Sequence, residues 1–154
     1  MAIEYRLTVA GDAPVDQLVE CAVPDPAERP MPTETPGLLT ADLHDQQGFT
    51  LIVRPGHDGY YEAEDDDGTT WVWEPDSYVN ITFRMAKESP VDKGVSNMLA
   101  VASRVLSCRP EDAALILNGD VLLLTRFDGV LRKHRRALWW DHYGLTDSIL
   151  VTDE

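Results

Sequence analysis

Apolar and polar residues alternate from the first positions of the chain. Ile3, Tyr5, Leu7 and Val9 are separated by Glu4, Arg6 and Thr8, the period of a strand with one face buried. Gly11-Asp12-Ala13-Pro14 breaks the alternation. Asp12 and Pro14 then suit the start of a short helix that places Val15, Leu18 and Val19 on one side. Residues 23–37 contain five of the ten prolines, a density that predicts a surface loop without regular structure. From residue 38 to 85 the pattern is that of an antiparallel meander. Strands are predicted at 38–44, 49–54, 60–64, 71–74 and 78–85. They are separated by Gln46-Gln47-Gly48, Asp58-Gly59, Asp67-Gly68 and Pro75-Asp76. In the last of them Val79, Ile81, Phe83 and Met85 share a face.

The period then changes. Val91, Val95, Met98, Leu99, Ala102, Val105 and Leu106 recur at helical spacing, which predicts a helix over 90–107. Ser89-Pro90 is its expected start and Arg109-Pro110 its stop. Residues 113–117 and 121–127 flank Asn118-Gly119-Asp120 and predict a C-terminal hairpin, apolar enough to be covered on both faces. Asp128-Gly129 allows a further turn, and Trp139-Trp140 are expected to anchor the tail, 145–154. The predicted fold class is α+β: a meander sheet, one main helix packed across it, and a C-terminal hairpin.

Length and composition add limits. A chain of 154 residues with 44% hydrophobic and 26% charged side chains is expected to form one domain, 1–154. It contains no apolar run long enough for a spanning helix. Thirteen basic against 27 acidic side chains leave a net charge of −14, which argues against nucleic acid and anionic membrane and favours basic partners. Almost all of this charge lies in residues 1–88. Cys21 and Cys108 sit in no metal-binding or CxxC spacing. They read as two semi-buried thiols of a reduced protein, and with an N-terminus that resembles a strand rather than a signal peptide they predict the cytoplasm. A disulfide between them would require the Cα atoms to lie within about 7 Å.

The segment with the strongest chemical character is 58–76. Asp58, Glu62, Glu64, Asp65, Asp66, Asp67, Glu74 and Asp76 stand there with no Lys or Arg, interleaved with Tyr60, Tyr61, Trp71 and Trp73. Aromatic anchors ringed by carboxylates suit a face for a basic partner. The same pattern also suits a solvated hairpin whose acidic tip opposes edge pairing. The expected partner-binding residues are Asp58, Tyr60, Tyr61, Glu62, Glu64, Asp65, Asp66, Asp67, Trp71 and Trp73. Residues 58–69 do not match a calcium loop, and no metal or cofactor is expected. Glu62 and Glu64 share a strand face, but nothing else supports a glycosidase pair. His44, His57, His134 and His142 form no HxxxH or HxH pair, and no GxSxG elbow is present. Catalysis is therefore not expected; the alternative enzyme reading rests on Asp141 and His142, with Ser148 nearby in sequence. Arg132-Lys133-His134-Arg135-Arg136 is the one basic cluster, and on so acidic a chain it is expected to pair with the acidic strands.

Several short motifs resemble one family. They are Tyr60-Tyr61-Glu62-Ala63-Glu64-Asp65, Asn97-Met98-Leu99-Ala100, the run Leu117-Asn118-Gly119-Asp120-Val121-Leu122-Leu123-Leu124, Lys133-His134-Arg135-Arg136 and Trp139-Trp140-Asp141, with the opening Ile3-Glu4-Tyr5-Arg6-Leu7. With these the chain resembles the small acidic actinobacterial and myxobacterial proteins of the swarming-inhibition (Sit) immunity type, over most of residues 1–144. The resemblance implies a non-enzymatic cytoplasmic antitoxin that binds a cognate polymorphic toxin. It transfers no catalytic residue. A toxin-unrelated interaction protein is the remaining alternative.

Overall fold

A computed structural model describes residues 3–87, 91–135 and 139–143. The expected helix start at Ser89-Pro90, as well as Arg136, Ser148 and the tail, lie outside them. Ten strands form one sheet: β1 (Glu4–Ala10), β2 (Met31–Pro32), β3 (Leu39–Leu43), β4 (Phe49–His57), β5 (Tyr61–Glu64), β6 (Thr70–Trp73), β7 (Ser77–Met85), β8 (Ala113–Leu117), β9 (Val121–Phe127) and β10 (Val130–Lys133). Among the described residues two α-helices, α1 (Val15–Ala22) and α2 (Val91–Cys108), complete the α+β architecture. The strand order is β2-β3-β4-β7-β1-β8-β9-β5-β6, with β10 also on β9.

Alternation in β1 decides the two faces. Leu7 pairs with Ile81 on one side and Leu115 on the other, so Tyr5, Leu7, Val9, Val79, Ile81, Phe83 and Leu115 point into one core. The helices cover it. Val95, Met98, Leu99, Ala102, Val105 and Leu106 are all buried there, as the helical stripe requires. Gly94 allows the close approach of α2 to the β3–β4 turn, since a Cβ at that position would meet Met85 Sδ at 3.1 Å and Gly48 O at 3.2 Å. Asn97 donates to Gln47 O at 3.0 Å and fixes the same contact. Neither helix carries a basic residue in its last turn. Arginines from elsewhere supply the missing donors. Arg104 gives two bonds to Ala22 O, at 3.0 and 2.8 Å, and buried Arg126 donates to the carbonyls of Leu106, Arg109 and Glu111. Each cation thus sits at the negative end of a helix.

The opposite face of the sheet is covered as well. Ala114, Ile116, Leu122 and Ala63 form a second buried cluster, with Tyr61, Trp71 and Trp73 packed against it. This double cover explains the nearly unbroken apolar run in β8 and β9. A bulge between Leu115 and Ile116 sets Leu123 outside the β8–β9 pairing. The carbonyl of that unpaired residue accepts from Trp140 Nε1 at 2.8 Å and from His134 N at 2.8 Å. Trp139 and Trp140 are buried and close the core below Tyr5.

Three expectations are corrected. Residues 38–85 do not form one continuous meander. β4 pairs with β3 and β7, while β5 and β6 leave the run and reach β9, where Glu64 pairs with Val121. Hydrophobicity explains this: the β5–β6 hairpin has its own apolar face, Tyr61, Ala63, Trp71 and Trp73, and it packs on Ala114, Ile116 and Leu122 of β8 and β9. The proline-rich stretch is not wholly irregular, for it contains a 3₁₀ turn at Pro26–Glu28, capped by the Asp25 side chain, and the short β2. Finally, Cys21 and Cys108 are not free thiols. Their Cα atoms lie 6.4 Å apart and they form a disulfide that ties the end of α1 to the end of α2. The redox argument for the cytoplasm falls with that expectation. No described helix is long and apolar enough to cross a membrane.

Candidate functional site

The acidic aromatic segment folds as a hairpin laid over the second face of the sheet. Its base is closed by Asp58 N to Asp76 O at 2.8 Å and Gly59 N to Pro75 O at 2.9 Å. Asp58 takes a positive φ of 55°, which Asp tolerates in turns. Tyr61 pairs with Trp73, and Ala63 with Trp71. Strand alternation therefore directs these four side chains inward together. Tyr61 donates its hydroxyl to Asn80 Oδ1 at 3.1 Å and meets Tyr78 edge to face at 5.7 Å. Trp73 and Trp71 lie 5.3 and 6.1 Å from the Phe127 ring. Both tryptophans share one side of β6, half-buried, and their contacts hold the hairpin on the sheet.

The outward side is different. Tyr60, Glu62, Glu64, Thr70, Val72 and Glu74 are exposed, with Tyr60 at 58% and Val72 at 48%. Tyr60 donates to Glu62 Oε2 at 2.9 Å, and that bond, with the nearby negative charges of Glu62 and Glu74, holds the phenol above its ordinary pKa. The outer side thus combines one aromatic ring and one aliphatic side chain with three carboxylates.

The tip is fastened by the basic cluster. His134 Nδ1 lies 2.8 Å from Asp65 Oδ1, and its Nε2 lies 2.9 Å from Thr125 Oγ1. A carboxylate only accepts, so Nδ1 carries the proton and, in the neutral ring, Nε2 accepts from the threonine hydroxyl. The backbone N–H of Arg135 donates to Asp66, and its guanidinium pairs with Glu64 at 2.7 Å. Asp67 stabilises its own turn by accepting from the Thr69 hydroxyl and N–H, contacts that lower its pKa. Lys133 turns away and sits over the Trp140 ring at 4.8 Å.

Potential ligand atoms of Asp65, Asp66 and His134 lie within 4.8 Å of one another. Those atoms already bond to each other and to Arg135 N, and the nearby Arg135 guanidinium opposes a cation. The cluster therefore acts as a clamp.

Asp141 and His142, the described residues of the alternative enzyme reading, form no comparable arrangement. Asp141 and His142 are exposed, and the His142 ring meets only Tyr143 among the rings described, at 5.1 Å. A cleft of about 220 Å³ lies elsewhere, between the 3₁₀ turn, the β3–β4 turn and α2, with Glu28, Gln47 and Arg104 in its wall.

Of the ten expected binding residues, Asp58, Tyr60, Glu62, Glu64, Asp66 and Asp67 are exposed. Tyr61, Trp71 and Trp73 face the sheet, and Asp65 is held by His134. The roles of His134, Thr125, Phe127 and Arg135 were not visible as individual assignments in the sequence. The basic cluster on a strongly acidic chain was the only signal, and it pointed to pairing without naming partners.

A family model described as SitI3-like matches residues 3–144. No curated protein matches the chain, and no solved structure does so. The chain belongs to the SitI3-like family.

Proposed function

We propose that this protein is a non-enzymatic immunity protein that neutralises a cognate toxin by binding it through the acidic hairpin 58–76. The observation that carries the reading is the division of that hairpin. Its aromatic side is spent on the sheet, while its outer side presents carboxylates around Tyr60 and Val72, with no basic side chain in the segment. The partner is then a basic protein, steered by charge and anchored on Tyr60 and Val72. Asp58, Glu62, Glu64, Asp66 and Asp67 supply the field. Tyr61, Trp71, Trp73 and Asp65 hold the face in place from below. Membership of the SitI3-like family supports the immunity role, and a net charge of −14 supports a protein partner over nucleic acid. The cytoplasmic encounter that the immunity role implies rests on the family alone, and the Cys21–Cys108 bond weighs against it.

The test begins with co-purification from the native host and identification of the bound protein by mass spectrometry. Association and dissociation rates are then measured for two variants. Glu62→Lys/Glu74→Lys should slow association, and the difference should vanish at high salt, where screening shortens to about 3 Å at 1 M. Tyr60→Ala should mainly speed dissociation. Unchanged association after the double charge reversal sinks the assignment of this face, and failure to recover any toxin sinks the immunity role.

A further inference from the structure

The sheet has three open edges among the described residues, and they differ. β2 is two residues long and ends in Pro32. β10 carries Arg132 and Lys133. Proline, basic charge and short length are the usual defences of an edge strand. β6, Thr-Trp-Val-Trp, four residues long, stands at the end of the strand order with neither proline nor basic charge.

The hydrogen-bond phase of β5 and β6 identifies which groups face this edge. Asp65 N donates to Thr69 O at 2.9 Å. From that pair the register runs Glu64 to Thr70, Ala63 to Trp71, Glu62 to Val72 and Tyr61 to Trp73. Antiparallel pairs alternate between bonded and non-bonded, so Trp71 and Trp73 bond to β5, whereas Thr70 and Val72 direct N–H and C=O away from it. The other strand agrees: Glu64, opposite Thr70, sends its N–H away from β6 to Asp120 O at 2.8 Å.

We propose that a strand of a basic protein adds to this edge and pairs with the backbone of Thr70 and Val72. The proposal rests on the function proposed above and states how the partner is held. Charge selects the occupant. Asp66 and Asp67 precede the strand, Glu74 and Asp76 follow it, and Glu62 lies beside Val72. These carboxylates repel a second copy of a chain with net charge −14 and attract a strand whose outer positions are Lys or Arg. The alternate positions of that strand lie beside Trp71 and Trp73 and take apolar residues. Backbone pairing supplies affinity, and the alternating side chains supply selectivity.

The probe is a seven-residue peptide of alternating Lys and Val. Controls are the same peptide with N-methylated valines and one with Glu in place of Lys. Amide hydrogen exchange is followed on the full chain. Free, Thr70 and Val72 should exchange fast while Trp71 and Trp73 are protected. With the Lys-Val peptide Thr70 and Val72 should slow, and neither control should protect them. Val72→Pro removes the outward N–H and leaves the β5–β6 ladder intact; it should weaken peptide binding by about tenfold, as loss of a backbone hydrogen bond implies. Val72→Thr keeps the outward N–H, so it should still show peptide-dependent protection of residues 70 and 72 and should lose clearly less affinity than Val72→Pro. Protection of Thr70 and Val72 in the free protein, from a second copy or from the chain itself, overturns the proposal. So does equal binding of the Glu-Val peptide, or binding that leaves those amides fast. If the host toxin is captured with equal affinity by Val72→Pro, edge pairing is refuted and the immunity role stands. If the peptide pairs but no toxin is recovered, the edge stands and the immunity role fails.

Discussion

Removing the Cys21–Cys108 bond measures how far the contact between α1 and α2 stands on packing alone. The bonded residues are 87 apart in sequence. Closing a loop of that length restricts the unfolded chain by about 4.5 kcal/mol in the chain-entropy account. The other contacts between α1 and α2 are expected to persist when the bond is absent. They do not run through the sulfurs: Leu18, Val19 and Ala22 are buried, and Arg104 donates to Ala22 O. Loss of the bond is therefore felt mainly as freedom returned to the unfolded state. At this chain length 1 kcal/mol moves the melting temperature by about 2–4 °C. The Cys21→Ser/Cys108→Ser variant should then melt about 9–18 °C below the oxidised protein while keeping its circular dichroism. Parent protein in excess dithiothreitol should melt with the double variant, and the double variant should ignore the reductant. Both cysteines are at least partly accessible at the ends of their helices, so reduction should not require unfolding. Equal melting of the parent with and without reductant would refute the reasoning, as would two titratable thiols in the native oxidised protein.

Leu99 has no exposed surface and packs in the core under α2, so Leu99→Ala should cost about 2–5 kcal/mol in urea unfolding. A cost below about 0.5 kcal/mol would contradict that packing. Arg126→Met should cost about 2–4 kcal/mol by leaving the carbonyls of Leu106, Arg109 and Glu111 without their donor. Arg126→Lys should recover only part of this, since an ammonium lacks the fork that spans the three oxygens. Glu111 has its pKa lowered, chiefly by its hydrogen bond from Arg109. A lowered carboxyl pKa stabilises the fold above the ordinary value of 4.5, and that contribution is lost as pH falls through the folded value. Glu111→Gln should therefore flatten the acid limb of the stability profile; an unchanged limb would assign acid sensitivity to other carboxylates.

Local order was readable from the chain and long-range order was not. Alternation at Tyr5, Leu7 and Val9 marked a strand with one buried face, and the stripe from Val95 to Leu106 marked the helix that covers it. Asp67-Gly68 and Asn118-Gly119 marked turns, where Gly68 and Gly119 do take φ of +79°. These signals depend on neighbours a few residues apart. Which strand lies beside which depends on surfaces that meet only after folding. Nothing local to residues 60–64 shows that Ala114, Ile116 and Leu122 will be left uncovered for Tyr61, Trp71 and Trp73 to fill. The clamp from Asp65 to His134 spans 69 residues, and the disulfide spans 87. Neither has a spacing that marks it. The bulge at Leu115 and Ile116 is equally silent in sequence, yet it frees the Leu123 carbonyl for Trp140 and His134.

The hairpin shows why the two readings of its sequence were not exclusive. Eight carboxylates and four aromatics on one short segment suggest either a partner face or a solvated cover, and strand geometry allows both at once. A period of two sends Tyr61, Ala63, Trp71 and Trp73 to the sheet and leaves Glu62, Glu64, Thr70 and Val72 outside. The inner set makes the outer set rigid, and a rigid face loses little freedom on binding. The clamp adds to this, because Asp65, Asp66 and Glu64 are fixed by His134 and Arg135. The Arg135 guanidinium offsets the charge of Glu64, and in the proposed reading Glu62 and Glu74 beside Tyr60 and Val72 then meet the partner. In that reading, stability and recognition are carried by alternate residues of the same two strands. A substitution at an inner position should be read first by melting, and one at an outer position first by binding rate.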